Sequence, residues 1–301
     1  MTNQTIERSN IKLWLAAIKP PMYSVAIMPI WVGTAGAVFE QHSIDWWIFA
    51  TFVSGAIFIL AWENISNDVF DSETGIDRNK HHSLVNLTGN KSLIFWLGNL
   101  CLALGILEIM LICWWQQDLT EIGLILACCT LGYMYQGPPF RLGYQGLGEI
   151  LCFFAFGPIA LSAAYYSQTQ SWSLTNLAIS IIVGLTTTLI LFCSHFHQVQ
   201  DDLAAGKRSP IVRLGTQTGA QMLWWFCGSI FTLIAILVIS GIFPLWTLLS
   251  FLSLPAAIKL CRHVGTHHDQ PEMVKNCKFI AVELHFWSGL LLGIGFWASG
   301  G

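Results

Sequence analysis

Long apolar segments constrain the fold of this chain more than any other feature of its sequence. Of its 301 residues, 54% are hydrophobic and only 10% are charged, whereas about a quarter of the residues of an ordinary soluble domain are charged. A helix needs roughly 18–20 apolar residues to cross a bilayer. Stretches of about that length lie near residues 22–39, 46–66, 92–115, 119–136, 149–166, 173–197, 220–241, 244–261 and 277–299.

These segments predict an all-α, polytopic membrane bundle of about nine transmembrane helices. Polar backbone can cross hydrocarbon only as helix or closed barrel, and the segments lack the alternation of barrel strands. No low-complexity linker divides the chain, so we expect one membrane-embedded domain over residues 1–301. Two polar clusters, four segments apart, suggest two related halves at approximately residues 10–166 and 173–300.

The placement of the cations predicts the orientation of the bundle. All 14 lysines and arginines fall in alternate connections, and the connections at residues 40–45, 116–118, 167–172 and 241–244 contain none. Cytoplasmic loops are the ones enriched in Lys and Arg. We therefore expect a cytoplasmic N-terminus and a C-terminus on the opposite side.

The first polar cluster follows the second apolar segment, in the stretch "NDVFDSETGID". Residues at i, i+3/i+4 and i+7 of a helix share one face, which here joins an asparagine amide to two carboxylates. A solvated loop would explain the last of these residues but not ionisable groups at membrane depth, which usually mark a site. The cluster consists of Asn64, Asn67, Asp68, Asp71, Asp77, Arg78 and Lys80.

The second polar cluster ends the sixth apolar segment, in the stretch "SHFHQVQDDLAAGK". On a continuous helix, His195, Gln198 and Asp202 would share one face, and His197 and Asp201 another. Lys207 follows the carboxylates, as Lys80 does in the first cluster. The common plan predicts that the two clusters face one cavity on the cytoplasmic side.

Carboxylates, amides and cations in this arrangement are typical of a site for a lipid diphosphate. Mg²⁺ in such sites takes one or two carboxylates together with phosphate oxygens and water, and Lys or Arg adds charge for the phosphates. The apolar segments would house a hydrocarbon tail. A third connection, residues 133–150, adds Arg141 as a further basic arm, whereas Glu149 serves equally well for helix-dipole stabilisation or for a substrate contact.

Together these motifs resemble the UbiA superfamily of intramembrane prenyltransferases. "NDVFDSETGID" resembles the first Asp-rich motif of the family, and "DDLAAGKRSPIVRLG" the end of the second. "YQGPPFRLGYQGLGE" resembles a loop of the 1,4-dihydroxy-2-naphthoate branch, and "WLAAIKPPMYSVAIMPIWVGTA" resembles its first helix. The second cluster has the form of the cyanobacterial and plastid subgroup.

The resemblance implies a Mg²⁺-dependent aromatic prenyltransferase of phylloquinone or menaquinone biosynthesis. Its partners would be the lipid bilayer of an inner or thylakoid membrane, a prenyl diphosphate such as phytyl diphosphate, and a bicyclic aromatic acceptor that loses carbon dioxide. No nucleic acid is expected to bind. The catalytic residues would be Asp68, Asp71 and Asp202, and the metal would be held by these three with Asn64, Asn67, Asp77, Asp201 and Gln198. The diphosphate would be bound by Arg78, Lys80, Arg141 and Lys207. The substrate would also be contacted by Glu149, His195 and His197.

One position departs from the family pattern, because Gln198 stands where many relatives have the first Asp of the second motif. Asp202 matches the second Asp of that motif, and Asp201 is an additional neighbour. Metal binding by this half of the site therefore depends on which of the two carboxylates faces the cavity.

Two other functions remain open at this point. Homogentisate or chlorophyllide prenylation would use the same diphosphate-binding residues. A divalent-ion or proton-coupled transporter would place its carboxylates near mid-membrane, where Glu108, Glu283 and His285 are the available groups.

Overall fold

The computed structural model describes residues 13–76 and 83–300, and within these ranges the chain is helical without any strand. The all-α prediction is therefore confirmed. The long helices are α1 (Tyr23–Gln41), α2 (Trp46–Thr74), α3 (Lys91–Gln116), α4 (Thr120–Gln136), α5 (Gly148–Thr169), α6 (Leu174–Ser194), α7 (Thr216–Ile239), α8 (Leu245–His267) and α9 (Cys277–Gly300).

Local signals in the sequence set several of the helix ends. Asp45, Asn90 and Ser173 precede α2, α3 and α6, and each side chain accepts a hydrogen bond from a backbone N–H of the first turn. Gly75 caps the C-terminal end of α2, and its φ of 77° is a left-handed conformation that favours glycine. The end of α2 is therefore fixed four residues after Asp71.

Helix α9 closes the bundle by packing along α1 and along the first turns of α8. Trp31 of α1 stacks on Trp297 of α9 with ring centroids 5.7 Å apart. Helix α2 packs mainly on α3, and α6 packs on the π-helical segment Ala155–Leu161 within α5. The two predicted halves stay a prediction, since α1 contributes buried residues to both sides of the core.

Connections without cations meet at one end of the bundle, which we call the far end. There Tyr166 donates a hydrogen bond to Asp118, Asp45 N–H donates to Gln168, and the His42 ring contacts the carbonyl of Gly300. Exposed tryptophans surround this end, as expected at a membrane interface: Trp46, Trp47, Trp114, Trp115, Trp172 and Trp246.

Eight of the helical segments are long and apolar enough to cross a membrane. The ninth, α4, has 17 residues, about 25 Å of helix at 1.5 Å per residue. It begins near the far-end residue Asp118 and ends at Gln136, which lines a cavity at the opposite end. Nine membrane crossings stay a prediction, which this course of α4 supports.

Short helices cover that opposite end, which we call the cavity end. They are Leu84–Thr88, Val199–Ala204, Pro210–Leu214 and Pro271–Val274. The expectation of a continuous helix from α6 through Asp202 is wrong. Helix α6 ends at Ser194 with tightened i→i+3 bonds, such as His195 N–H to Phe192, and a new helix begins at Val199.

Candidate active site

A cavity of about 870 Å³ opens at the cavity end between α1, α2, α4, α5, α6 and the start of α9. Its wall is polar near the ends of α2 and α6. Further into the bundle, the wall is formed mainly by apolar side chains, including Leu60, Leu131, Leu151, Ala155, Phe156 and Ile190. The cavity is therefore divided between a polar mouth and an apolar interior.

Helix α2 brings three of the predicted residues to the polar wall. Asn64, Asn67 and Asp71 all line the cavity, as their helical spacing predicted. Asn67 Oδ1 and Asn64 Nδ2 are buried and have no hydrogen-bond partner. Buried polar atoms of this kind are costly unless something binds them, so this wall is prepared for a polar ligand.

A tyrosine from the connection between α4 and α5 holds Asp71. Tyr144 donates a hydrogen bond to Asp71 Oδ1 (3.1 Å), and its oxygen lies 2.7 Å from Thr74 Oγ1. Burial and the charge of Asp71 raise the pKa of Tyr144, so its hydroxyl stays a donor. The sequence reasoning missed this residue, although it lies within the "YQGPPFRLGYQGLGE" motif.

Asp68 occupies a different environment from Asp71. Its side chain is fully buried and is not among the cavity-lining residues of the described chain. Asp68 Oδ2 accepts a hydrogen bond from Leu84 N–H (2.9 Å), and Oδ1 lies 3.7 Å from Lys19 Nζ. This position favours a structural role, anchoring the Leu84–Thr88 helix, over the predicted metal contact.

Asp202 is the centre of the opposite wall. It is fully buried, and Oδ2 accepts hydrogen bonds from Ser209 Oγ (2.7 Å) and His195 Nδ1 (3.2 Å). Lys207 Nζ lies 3.6 Å from Oδ1. Burial alone would raise the pKa of Asp202, but the hydrogen bond from His195, the charge of Lys207 and the hydrogen bond from Ser209 outweigh it and lower the pKa. Asp202 is therefore an ionised carboxylate.

The remaining residues of the second cluster divide between the cavity and the protein interior. His197, Gln198 and Asp201 line the cavity together with Asp202. Burial lowers the pKa of His197 to about 4, and its Nδ1 has no partner. His195 is buried behind this wall, where its Nε2 lies 3.4 Å from Glu149 Oε1. His195 and Glu149 thus support Asp202 rather than line the cavity.

The cations that line the cavity differ from those that the sequence predicted. Lys207 lines the cavity as expected. Arg141 does not, because it pairs with Glu73 (3.0 Å), which also binds Lys91 (2.7 Å). Asp77, Arg78 and Lys80 lie outside the described residues. Three further lysines line the cavity and were missed, although each follows the cation pattern of this end: Lys19, Lys275 and Lys278.

The groups considered for a transporter do not converge on the cavity. Glu108 accepts a hydrogen bond from Ser54 (2.9 Å), and Glu283 pairs with Lys259 (3.2 Å). His285 lies 2.9 Å from Thr186 Oγ1 within the core. These three contacts each join side chains of two different helices and stabilise helix packing.

The donor set fits a magnesium ion that is shared with a phosphate ligand. Within the described ranges, no three His, Cys, Asp or Glu side chains are grouped as a complete metal cage. Mg²⁺ seldom uses such a cage and binds through one or two carboxylates with phosphates and water. Asn67 Oδ1 and Asp202 Oδ1 are buried oxygens without a hydrogen-bond partner, one on each wall.

Comparison with known proteins identifies relatives of this chain. The model of the UbiA prenyltransferase family matches residues 26–289. The chain is 57% identical to a 2-carboxy-1,4-naphthoquinone phytyltransferase of Synechocystis sp., over 96% of this chain and 94% of the relative. It is 41% identical to the chloroplastic 2-carboxy-1,4-naphthoquinone phytyltransferase of Arabidopsis thaliana, over 97% of this chain and 78% of the relative.

A solved structure shares the fold. A UbiA homologue from Archaeoglobus fulgidus, bound to DMAPP and Mg²⁺, superposes with a TM-score of 0.59, covering 93% of this chain and 99% of the homologue. The sequences are 13% identical, so this similarity shows a shared fold and nothing further. The resemblance found in the sequence motifs is thereby confirmed at the level of family and architecture.

Proposed function

This chain belongs to the UbiA prenyltransferase family, and we propose that it transfers a phytyl or related prenyl group from its diphosphate to a carboxylated naphthalene acceptor. The acceptor is 1,4-dihydroxy-2-naphthoate or 2-carboxy-1,4-naphthoquinone, and the products include carbon dioxide and diphosphate. The observation that carries the proposal is the cavity, whose polar lining includes Asp71 from the end of α2 and Asp202 from the segment after α6, next to an apolar interior. The names of the two similar enzymes support the choice of acceptor and tail.

The polar walls bind the diphosphate of the donor. Asn67 and Asp71 on one wall, and Asp202 with Asp201 on the other, would hold Mg²⁺. When bound, Mg²⁺ supplies charge that neutralises the diphosphate as a leaving group. Lys207, Lys19 and Lys278 line the same mouth and add positive charge for the non-bridging oxygens. Asp77, Arg78 and Lys80 are proposed to complete this set.

The apolar interior accommodates the tail and protects the reacting carbon from water. The C–O bond of the prenyl diphosphate breaks, and its electron pair leaves with diphosphate. Aromatic residues on the wall, such as Tyr135 and Phe156, stabilise the allylic cation by about 0.5–2 kcal/mol each. With the hydroxylated acceptor, a ring carbon forms the new C–C bond, and the electron pair left by departing carbon dioxide restores the aromatic ring.

The bundle is an integral membrane protein, and we place its cavity end on the cytoplasmic side of an inner or thylakoid membrane. The described lysines and arginines lie in connections at this end or in the parts of the helices that lead to it, and cytoplasmic loops carry the excess of such residues. A water-soluble diphosphate product would then leave into the cytoplasm or stroma.

The proposal is tested with purified protein in lipid nanodiscs, phytyl diphosphate and Mg²⁺, offered separately with 1,4-dihydroxy-2-naphthoate, 2-carboxy-1,4-naphthoquinone, homogentisate and chlorophyllide. Mass spectrometry should find a phytylated, decarboxylated naphthalene product. A product from homogentisate or chlorophyllide alone would assign the chain to another acceptor class, and no prenylated product from any acceptor would contradict the proposal.

A further inference from the structure

One carboxyl group in the cavity has no part in the reaction as described above. Glu63 precedes Asn67 by one helical turn and Asp71 by two, so the three residues share a face of α2. Glu63 lines the cavity on the side of Asn67 that leads away from the polar mouth. Its companions on this part of the wall include Leu60, Leu131 and Leu151.

A glycine on the neighbouring helix makes room for this carboxyl group. A Cβ atom added to Gly132 of α4 would lie 2.9 Å from Glu63 Oε1 and 3.4 Å from its Cδ. The side chain therefore crosses the gap from α2 to α4 and lies over Gly132. Any larger residue at position 132 would displace it.

Glu63 has no hydrogen-bond or ion-pair partner in the described part of the chain. Among the described residues, no donor forms a hydrogen bond to either of its carboxyl oxygens. A carboxyl group facing an apolar cavity without a partner is costly, and ionisable groups at membrane depth usually serve a ligand. The missing partner is therefore a hydrogen-bond donor that enters the cavity.

We propose that Glu63 positions the hydroxylated acceptor, 1,4-dihydroxy-2-naphthoate, by accepting a hydrogen bond from one of its hydroxyl groups. This inference rests on the proposed function, because it concerns the second substrate of the same cavity. The donor molecule offers no such group, since its tail is a hydrocarbon and its ionised diphosphate has oxygens that accept hydrogen bonds and none that donate. Glu63 lies about 6 Å along the helix axis from Asn67, which puts the acceptor next to the C–O bond that breaks.

The same carboxyl group selects the orientation of the acceptor. An ionised Glu63 attracts a hydroxyl group and repels the carboxylate of the acceptor, which turns towards the cationic mouth, where Lys278 lines the cavity. One residue thus distinguishes the two polar substituents of the acceptor.

Kinetics of Glu63→Leu and Glu63→Gln test the proposal. Loss of the hydrogen bond in Glu63→Leu should raise the KM for the acceptor about fivefold, the size expected for one hydrogen bond. Glu63→Gln keeps an acceptor oxygen and should recover part of the loss. In both variants the KM for phytyl diphosphate and the magnesium dependence should match wild type.

A glycine pair on α4 provides a matched control. Gly132→Ala should displace the Glu63 carboxyl group and raise the KM for the acceptor, whereas Gly123→Ala should have no effect because nothing lies within 4 Å of a Cβ atom there. The double variant Glu63→Leu/Gly132→Ala should be no worse than Glu63→Leu, since coupled residues give non-additive effects.

The inference and the proposed function fail in different ways. If wild-type protein forms product but Glu63→Leu and Gly132→Ala leave the KM for the acceptor unchanged, the role of Glu63 is wrong and the function stands. If Glu63→Leu instead alters magnesium dependence or the KM for phytyl diphosphate, Glu63 belongs to the donor site and the inference is overturned. If wild-type protein prenylates no aromatic acceptor, the proposed function is wrong.

Discussion

Asp68 and Asp71 are less than one helical turn apart, yet their carboxyl groups face different parts of the molecule. Asp71 lines the cavity and is held by Tyr144, whereas Asp68 is buried against Leu84 N–H and Lys19. A helix rotates by about 100° per residue, so three residues of separation leave the two side chains on neighbouring faces. Only the packing of α2 decides which of them meets the substrate.

Asp71→Asn and Asp68→Asn should therefore differ. Asp71→Asn removes a charge that Mg²⁺ requires, and we expect turnover to fall about 100-fold or more. The magnesium concentration that gives half-maximal activity should rise clearly. Asp68→Asn retains an oxygen for Leu84 N–H, so its main effect should be a lower Tm. Activity and thermal unfolding of both variants decide the matter, and a normal magnesium response in Asp71→Asn would place the metal elsewhere.

The two carboxylates of the second cluster form a similar pair. Asp202 is buried among His195, Ser209 and Lys207, whereas Asp201 is exposed at the cavity mouth. Asp202→Ala would leave the charge of Lys207 without its partner, which costs on the order of 3 kcal/mol. We expect this variant to lose nearly all activity and to unfold at lower temperature.

Asp201→Ala serves as the matched variant for that pair. It should retain measurable turnover and wild-type stability, with a weaker affinity for magnesium, because it loses one exposed carboxylate and no buried contact. Titration of magnesium against initial rate provides the comparison. An inactive Asp201→Ala beside a mildly affected Asp202→Ala would show that Asp201 is the principal ligand.

At the scale of elements, the connection between α4 and α5 couples the two walls of the site. Tyr144 binds Asp71 through its hydroxyl group, and its carbonyl accepts a hydrogen bond from Arg208 N–H (2.8 Å). Arg213 donates to the carbonyl of Gln145 (2.6 Å). This connection therefore bridges the end of α2 to the segment that follows Asp202.

Tyr144→Phe tests this coupling. It removes the hydrogen bonds to Asp71 and Thr74 but keeps the ring, so we expect a loss of roughly tenfold in kcat/KM, the size of one hydrogen bond to a charged group. Tyr133→Phe removes a hydroxyl that donates to Pro138 within the same connection and controls for loop stability. Equal kinetics for the two variants would contradict the coupling.

Periodicity predicted the helices, and spacing predicted which amides of α2 face the cavity. Two features of the structure could not be predicted from periodicity or spacing. The break after Ser194 accompanies side-chain contacts of Asp202 with His195 and Ser209. The pairing of Arg141 with Glu73 depends on how the connection before α5 folds against α2. Both features involve contacts between polar side chains, which hydrophobic patterns do not encode.

At the scale of the whole molecule, the bundle has two chemically distinct ends. Cavity-lining Lys19 lies near the start of the described chain, and Gly300 lies beside His42 at the far end. An odd number of end-to-end helices is required to connect them, in agreement with the alternating cations. The proposed orientation follows from this polarity.

A thiol reagent that cannot cross membranes should reveal the two ends. In a background without reactive native thiols, cysteines at Ser92 and Gln217 should react only from the cytoplasmic side, and cysteines at Ser43 and Ser171 only from the other. All four positions are exposed. Labelling of all four from one side would contradict the nine-crossing arrangement.

The central claim is that the two polar walls bind a prenyl diphosphate through magnesium, and calorimetric titration of phytyl diphosphate into the protein in nanodiscs tests it most directly. Saturable binding should occur with Mg²⁺, should disappear with EDTA, and should weaken about tenfold or more in Asp71→Asn, as expected for the loss of a charge-assisted contact. Binding that is equally tight without Mg²⁺ and unaffected by Asp71→Asn would contradict the account.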